Sequence, residues 1–132
     1  NEEVDFSMYS NITDITKKSM DIQEILMDTD ILISDYSSTY IDYLLLDRPL
    51  IFYNFDYEDY LQNDREMYYD YDEVTPGYKA ATFDELMTEL DSIAKDEDHF
   101  VEERQRVRDL FYCKDGQQMV GEKLLEFLKN IK

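Results

Sequence analysis

The chain has 132 residues, a length that suits one domain, and 43% of them are hydrophobic, which is enough for a core and argues against wholesale disorder. The formal net charge of −19 repels DNA, RNA and anionic lipid, and the thirteen Lys and Arg residues are scattered without a basic patch. We therefore expect no nucleic-acid role.

The first elements along the chain are a strand, a short helix and a second strand. We expect the first strand within residues 5–15. Asp21 then stands where an N-cap would begin a brief helix that ends near Asp28. The continuous apolar run at 31–34 is typical of a strand that is buried on both faces.

A further helix and strand follow at once. Ser37 or Ser38 is expected to cap the helix, and Arg48-Pro49 to end it, because the residue before a proline avoids the α region. Residues 50–54 are apolar and predict the next strand. Strand, helix and strand at this spacing form a βαβ unit, whose strands pair in parallel.

The second half of the chain is predicted to be helical, after an aromatic and acidic stretch at 55–80 with a turn at 75–77. Thr82 and Glu85 have the spacing of a capping box at the start of the first of three helices. We expect a single α/β domain over 1–132, with a partial doubly wound parallel sheet and a helical C-terminal section over about 82–131. The chain begins without Met, so we expect the rest of the sheet to lie upstream.

Polar residues stand at the joint between the strand at 31–34 and its helix. Ligands of open parallel sheets collect beyond the carboxyl ends of the strands, where helix N-termini offer free amides and partial positive charge to a phosphate. Ser37 and Ser38 could donate to phosphate oxygens, and Asp35 could accept from a ligand hydroxyl or fix the turn. The same residues also suit an ordinary helix cap, so spacing alone leaves both interpretations open.

Three stretches carry a family resemblance: "DILISDYSSTYIDYLLLDRPLIFYNFDYEDY", "REMYYDYDEVTPG" and "CKDGQ". Together, over most of 21–121, they resemble the C-terminal part of the CDP-glycerol glycerophosphotransferases, the teichoic acid primases and polymerases of Gram-positive bacteria. The resemblance implies a GT-B architecture of two Rossmann-like domains, with the nucleotide donor held by the C-terminal one. It also implies transfer of glycerol phosphate from CDP-glycerol to a hydroxyl of a polyol-phosphate chain, with release of CMP.

The resemblance also implies which side chains lie near the donor. The side chains at the family's motif positions carry hydroxyl, carboxylate or guanidinium groups. They are Asp35, Ser37, Ser38, Thr39, Arg48 and Arg65. Arg48 has a second interpretation, because a cation just past a helix C-terminus is favoured by the helix dipole. The family's catalytic histidines lie upstream of this stretch, so no catalytic residue is expected here and the chain alone should be inactive.

The resemblance implies no cofactor. Its partners would be CDP-glycerol or a similar donor, a polyol-phosphate acceptor and an upstream acceptor domain of the same chain. We expect a cytoplasmic location, with membrane contact only through the missing part. Glu66 stands where the family usually has glycine. This departure leaves room for a CDP-ribitol or sugar transferase, or for a non-catalytic acidic interaction module.

Two further features each have a structural and a functional interpretation. Asp70 and Asp72 resemble a metal-binding aspartate pair, but a solvated acidic loop explains them better. The tyrosines between Tyr53 and Tyr71 are dense enough to stack on cytosine or a polyol. Packing of amphipathic rings at a domain edge explains most of them.

Overall fold

The computed structural model describes residues 5–6, 8–16, 20–57, 69–112 and 120–130. Its helices and strands alternate through the first part of the chain and end in three helices. In chain order they are α1 Ile22–Met27, β1 Leu32–Ser34, α2 Thr39–Tyr43, β2 Leu50–Tyr53, α3 Tyr71–Val74, β3 Tyr78–Ala80, α4 Phe83–Ile93, α5 Val101–Phe111 and α6 Val120–Asn130. A 3-10 turn at Leu44–Leu46 continues α2.

The three strands form one parallel sheet in the order β1-β2-β3. Leu32 of β1 is in register with Leu50 of β2, and Ile51 of β2 is in register with Tyr78 of β3. The segment from β1 to β2 is therefore the predicted parallel βαβ unit, and the α/β class expected from the sequence is confirmed. Because the strands are parallel, their carboxyl ends meet at one edge of the sheet.

The larger core lies on one face of the sheet. Phe52 of β2 is fully buried there, in a cluster with Tyr43 of α2, Leu44 of the 3-10 turn and Val107 of α5. The opposite face carries a smaller cluster, in which Ile51 and Ala80 pack with Leu86 of α4. The alternation of Ile51 and Phe52 between the two clusters follows from the two-residue period of a strand.

The second face of β1 is less covered than the sequence predicts. Ile33 is 45% exposed, so the expectation that 31–34 is buried on both faces is wrong for the described part of the chain. The cause is the position of α4, which follows β3 and packs against β3 and β2.

No strand forms within 5–15 among the described residues, contrary to the prediction. Turn hydrogen bonds join Tyr9 N to the Phe6 carbonyl at 3.0 Å and Ile12 N to the Tyr9 carbonyl at 3.4 Å. The Asp14 carboxylate then accepts from the amide of Thr16 at 2.9 Å. Such local side-chain bonds give the backbone an alternative to sheet pairing.

The third strand, β3, lies at the end of the aromatic and acidic stretch 55–80, where the sequence predicts only a turn. Gly77 allows the chain to enter β3, because a Cβ at this position would meet the Leu50 carbonyl oxygen at 2.5 Å. The turn expected at 75–77 lies just ahead, where Gly77 N donates to the Thr75 carbonyl at 3.0 Å. A three-residue strand with one buried side chain gives little periodic signal.

Two of the predicted helix caps, those of α1 and α4, are confirmed. The Asp21 carboxylate accepts from the Gln23 amide at 3.0 Å at the start of α1. Thr82 and Glu85 form the full capping box at the start of α4, with Glu85 N donating to Thr82 Oγ1 at 3.3 Å. These interactions are local in sequence, which explains why spacing alone predicted them.

Candidate functional site

An open groove of about 420 Å³ lies where β1 and β2 end. Its walls are formed by β1, by the loop that leads into α2 and by the end of β2. The polar lining side chains are Ser34, Asp35, Ser37 and Thr39, and the apolar ones are Leu32, Ile33, Tyr53 and Phe55. The groove occupies the edge of the sheet at which ligands of open parallel sheets bind.

The loop between β1 and α2 is shaped by its own side chains. Asp35 Oδ1 accepts from the Ser37 amide at 2.8 Å, which closes a tight turn directly after β1. Ser37 Oγ and Thr39 Oγ1 then lie 2.9 Å apart and share a hydrogen bond. Ser37 Oγ also accepts from the Thr39 amide at 3.4 Å. The structure therefore brings three of the predicted site residues together on one wall of the groove.

The expected helix N-terminus offers fewer free donors than the sequence suggested. Ser38 occupies the N-cap position, but its side chain makes no capping hydrogen bond and does not line the groove. The Ser37 amide is already bonded to the Asp35 carboxylate. Since α2 has only five residues, its aligned peptide dipoles are few. Side-chain hydroxyls are the main donors that this loop offers.

Arg48 of the predicted set is not part of this wall. Arg48 Nη1 donates to the carbonyls of Met27 at 2.9 Å and Thr29 at 2.7 Å, at the amino end of the sheet. Arg48 precedes β2 in the chain, whereas the groove lies beyond the ends of the strands. The structure therefore separates Arg48 from Ser37, and its guanidinium stabilises the connection between α1 and β1. Arg65 and Glu66 lie outside the described residues.

The groove has little positive charge of its own. Asp35 is the only charged side chain among its lining residues in the described part of the chain. A diphosphate in the groove would therefore need cations from other parts of the protein. The hydroxyls of Ser37 and Thr39 could orient a phosphate but would not neutralise it.

A second, smaller cavity of about 110 Å³ lies at the ends of β2 and β3. Its most buried polar residue is Asn54, which directly follows β2 and is 6% exposed. Asn54 Nδ2 donates to Tyr71 Oη at 2.7 Å, and Lys79 Nζ lies 3.4 Å from the Asp72 carboxylate. Asn54 and Lys79 are not among the residues predicted from the sequence. Asn54 could have been found from the sequence, because it is a polar residue at the carboxyl end of a predicted strand.

The tyrosines of this region pack mainly against one another. Tyr71 is 6% exposed, and its ring centroid is 6.1 Å from that of Phe52 and 5.4 Å from that of Tyr57. Burial raises the pKa of the Tyr71 phenol well above its ordinary value. Asp70 accepts from the Asp72 amide at 3.0 Å and so begins α3. Ring packing and helix capping thus account for Tyr71 and Asp70.

The described residues contain neither a cluster of metal-ligating side chains nor a membrane-spanning helix. No group of three or more His, Cys, Asp and Glu side chains there could hold a metal ion. None of the helices in that part of the chain is long and apolar enough to cross a membrane.

Residues 1–128 match the family model described as CDP-Glycerol:Poly(glycerophosphate) glycerophosphotransferase. A teichoic acid poly(ribitol-phosphate) polymerase of Bacillus spizizenii is 42% identical over 63% of this chain and 13% of its own length. A teichoic acid poly(glycerol phosphate) polymerase of Staphylococcus epidermidis is 30% identical over 96% of this chain and 18% of its own length.

The solved structure of the wall teichoic acid polymerase TagF is also similar, with a TM-score of 0.73 and 28% sequence identity. The match covers 96% of this chain and 31% of the TagF chain. A TagF variant soaked with CDPG matches with a TM-score of 0.70 and 32% identity, over 80% of this chain and 26% of the other. This chain therefore spans less than a third of each of these relatives.

Proposed function

Because the chain belongs to the CDP-glycerol:poly(glycerophosphate) glycerophosphotransferase family, we propose that it supplies the donor-binding part of a transferase that uses CDP-glycerol. The enzyme would transfer glycerol phosphate to a hydroxyl of a polyol-phosphate chain and release CMP. The observation that carries this proposal is the groove beyond β1 and β2, where Asp35, Ser37 and Thr39 come together.

Ser37 and Thr39 would bind the donor phosphates through their hydroxyls. The pair holds two hydroxyl protons, and the bond between the two oxygens uses one of them. The other can be donated outward to a phosphate oxygen. Hydroxyl donors that are already in place stabilise the charge that grows on the departing CMP without having to reorganise.

Asp35 would act on the loop more than on the phosphates. Its carboxylate accepts from the Ser37 amide, and this bond fixes the turn that presents the two hydroxyls. A carboxylate close to a phosphate repels it, so the cations that balance the donor's charge would have to come from outside the groove lining described above. Because these cations lie elsewhere, we propose that the chain is a donor-binding part that is inactive alone.

CDP-ribitol is a second candidate donor. The observation that favours it is the set of ribitol-phosphate polymerases among the relatives, at 42% to 44% identity over 54% to 63% of this chain. The groove is open on one side, so it does not by itself select a three-carbon over a five-carbon polyol.

The test is CMP release by the full-length protein with a polyol-phosphate acceptor and either CDP-glycerol or CDP-ribitol. We expect turnover with one donor, and a loss of about tenfold or more in kcat/KM for Ser37→Ala and Thr39→Val, since hydrogen bonds to charged groups are strong. Ser92→Ala is the control, because it removes a hydroxyl that bonds Glu97 near the end of α4. Absence of CMP release with both donors would instead favour a non-catalytic module.

A further inference from the structure

The loop between β1 and α2, residues 35–38, forms one wall of the groove and is called the groove loop below. Tyr36 stands in the middle of this loop but faces another part of the structure. Its neighbours Asp35 and Ser37 line the groove, whereas Tyr36 does not. Tyr36 Oη donates instead to Asp56 Oδ1 at 2.9 Å, across twenty residues of sequence. Asp56 lies just after β2, so this hydrogen bond joins the loops that follow two neighbouring strands.

The ring of Tyr36 strengthens the same connection. It stacks on Tyr57 with a centroid distance of 6.3 Å and an interplanar angle of 18°, and it lies 5.9 Å from the ring of Tyr71. Tyr71 is itself fixed by the hydrogen bond from the buried Asn54 amide. The groove loop is therefore attached to the end of β2 and to α3 by one tyrosine side chain.

The Tyr36 hydroxyl remains a donor over the whole neutral range. Burial is the first cause, and the hydrogen bond to Asp56 the second, of a pKa raised well above the ordinary tyrosine value. The nearby Asp35 charge acts in the same direction. The phenol therefore keeps the proton that it donates to Asp56.

Resting on the proposed function, we propose that Tyr36 is a positioning residue, which places the Ser37 and Thr39 hydroxyls for the donor through its bond to Asp56. Tyr36 acts on the loop and does not touch the donor. The need for such a support follows from the local structure, because the loop leads into a helix of only five residues. Binding groups work only when held within about 0.5 Å of their productive positions.

The experiment measures donor affinity by calorimetry, and KM and kcat by CMP release, in the full-length protein with CDP-glycerol and CDP-ribitol. Tyr36→Phe keeps the ring and removes the hydroxyl, Asp56→Leu removes the acceptor, and Asp56→Asn keeps an acceptor oxygen. The matched control is Tyr112→Phe, which also deletes a tyrosine–aspartate hydrogen bond, 3.0 Å long, to Asp42 of α2.

We expect Tyr36→Phe and Asp56→Leu each to raise the donor Kd and KM about three- to tenfold with kcat nearly unchanged, the size of one hydrogen bond. The double variant should be no worse than either single one, and Asp56→Asn should bind the donor within about twofold of wild type. Tyr112→Phe should leave the donor Kd unchanged.

Several results would overturn the inference. Additive losses in the double variant would mean that Tyr36 acts without Asp56, and equal losses in Tyr36→Phe and Tyr112→Phe would mean a general loss of stability. If Ser37→Ala weakened donor binding while Tyr36→Phe did not, the inference would fail and the proposed function would stand. If the wild-type protein bound neither donor, both would fail together.

Discussion

The two ends of the parallel sheet use their polar side chains in opposite ways. At the amino end, Arg48 and the Tyr43 hydroxyl both donate to backbone carbonyls that precede β1, including that of Thr29. At the carboxyl end, the side chains of Ser37 and Thr39 bond within their own short loop, as far as the described residues go, and border an open groove. The Arg48 and Tyr43 groups at the first end stabilise the fold, whereas the Ser37 and Thr39 hydroxyls at the second end remain available to a ligand.

A buried ion network adds to the amino end. Arg104 of α5 is 2% exposed and donates two hydrogen bonds to Asp98, at 2.9 and 2.6 Å. Its Nε also lies 3.4 Å from Asp47, the residue that ends the 3-10 turn in the left-handed conformation with φ 51°. The network joins α5 to the start of β2. Cations of this end are therefore held in fixed positions, away from the groove.

The largest expected effect is the loss of this network. Asp98→Ala leaves the Arg104 guanidinium buried with one partner fewer, and breaking a buried pair in this way typically costs about 3–5 kcal/mol. We expect a loss of this order in the free energy of unfolding, measured by urea denaturation. Glu103→Ala, an exposed neighbour on α5, should change it by less than about 0.5 kcal/mol. A change below about 1 kcal/mol for Asp98→Ala would mean that the network contributes little.

Arg48→Met should separate stability from donor binding. It keeps much of the side-chain volume and removes two hydrogen bonds to carbonyls, so we expect a loss of about 1–3 kcal/mol in unfolding free energy. Donor affinity of the full-length protein should stay within about twofold of wild type. If the folded variant lost much more donor affinity than this, Arg48 would have to be counted among the donor-binding residues.

Thr39→Val should show the reverse pattern at the carboxyl end. Its hydroxyl bonds only Ser37 Oγ among the described residues, at a half-buried position. We expect a change below about 1 kcal/mol in unfolding free energy, together with the loss of donor affinity proposed above. Comparing both quantities in Thr39→Val and Arg48→Met tests whether the two ends differ as described.

The smallest expected signal is a difference in pH dependence. The hydrogen bonds from Arg104 hold the pKa of Asp98 below its ordinary value, so its contribution to stability is present above about pH 4 and is lost as pH falls through the folded-state pKa. The stability gap between wild type and Asp98→Asn should therefore be constant from pH 7 to 5 and shrink below about pH 4. A stability gap that stayed constant down to pH 3 would mean that the hydrogen bonds from Arg104 do not lower the pKa of Asp98.

The local features of the fold could be predicted from the sequence, because their causes are local. The capping box of Thr82 and Glu85 depends on residues three positions apart, and each element of the βαβ unit around α2 depends on its own short run of residues. The position of Arg48 could not be predicted, since its partners are the carbonyls of Met27, at the end of α1, and of Thr29, about twenty residues away. The same holds for the Tyr36–Asp56 bond, which exists only after two strands have paired.

The site was predicted in part for the same reason. Asp35, Ser37 and Thr39 are adjacent in sequence, so their meeting at the end of β1 followed once the strand was recognised. Asp35 fixes the turn, which is one of its two predicted roles, whereas the bonds between Ser37 and Thr39 could not be predicted. These bonds reduce the free amides that an anion would find. The exposed face of Ile33 was missed because helix α4 packs on the other two strands.

Amide hydrogen exchange of the full-length protein, with and without CDP-glycerol or CDP-ribitol, tests the contrast between the two ends most directly. We expect the bound donor to slow exchange in peptides covering 34–40 and to leave peptides covering 26–31 and 46–50 unchanged. Protection confined to the amino-end peptides, or no protection at 34–40 under saturating donor, would contradict it.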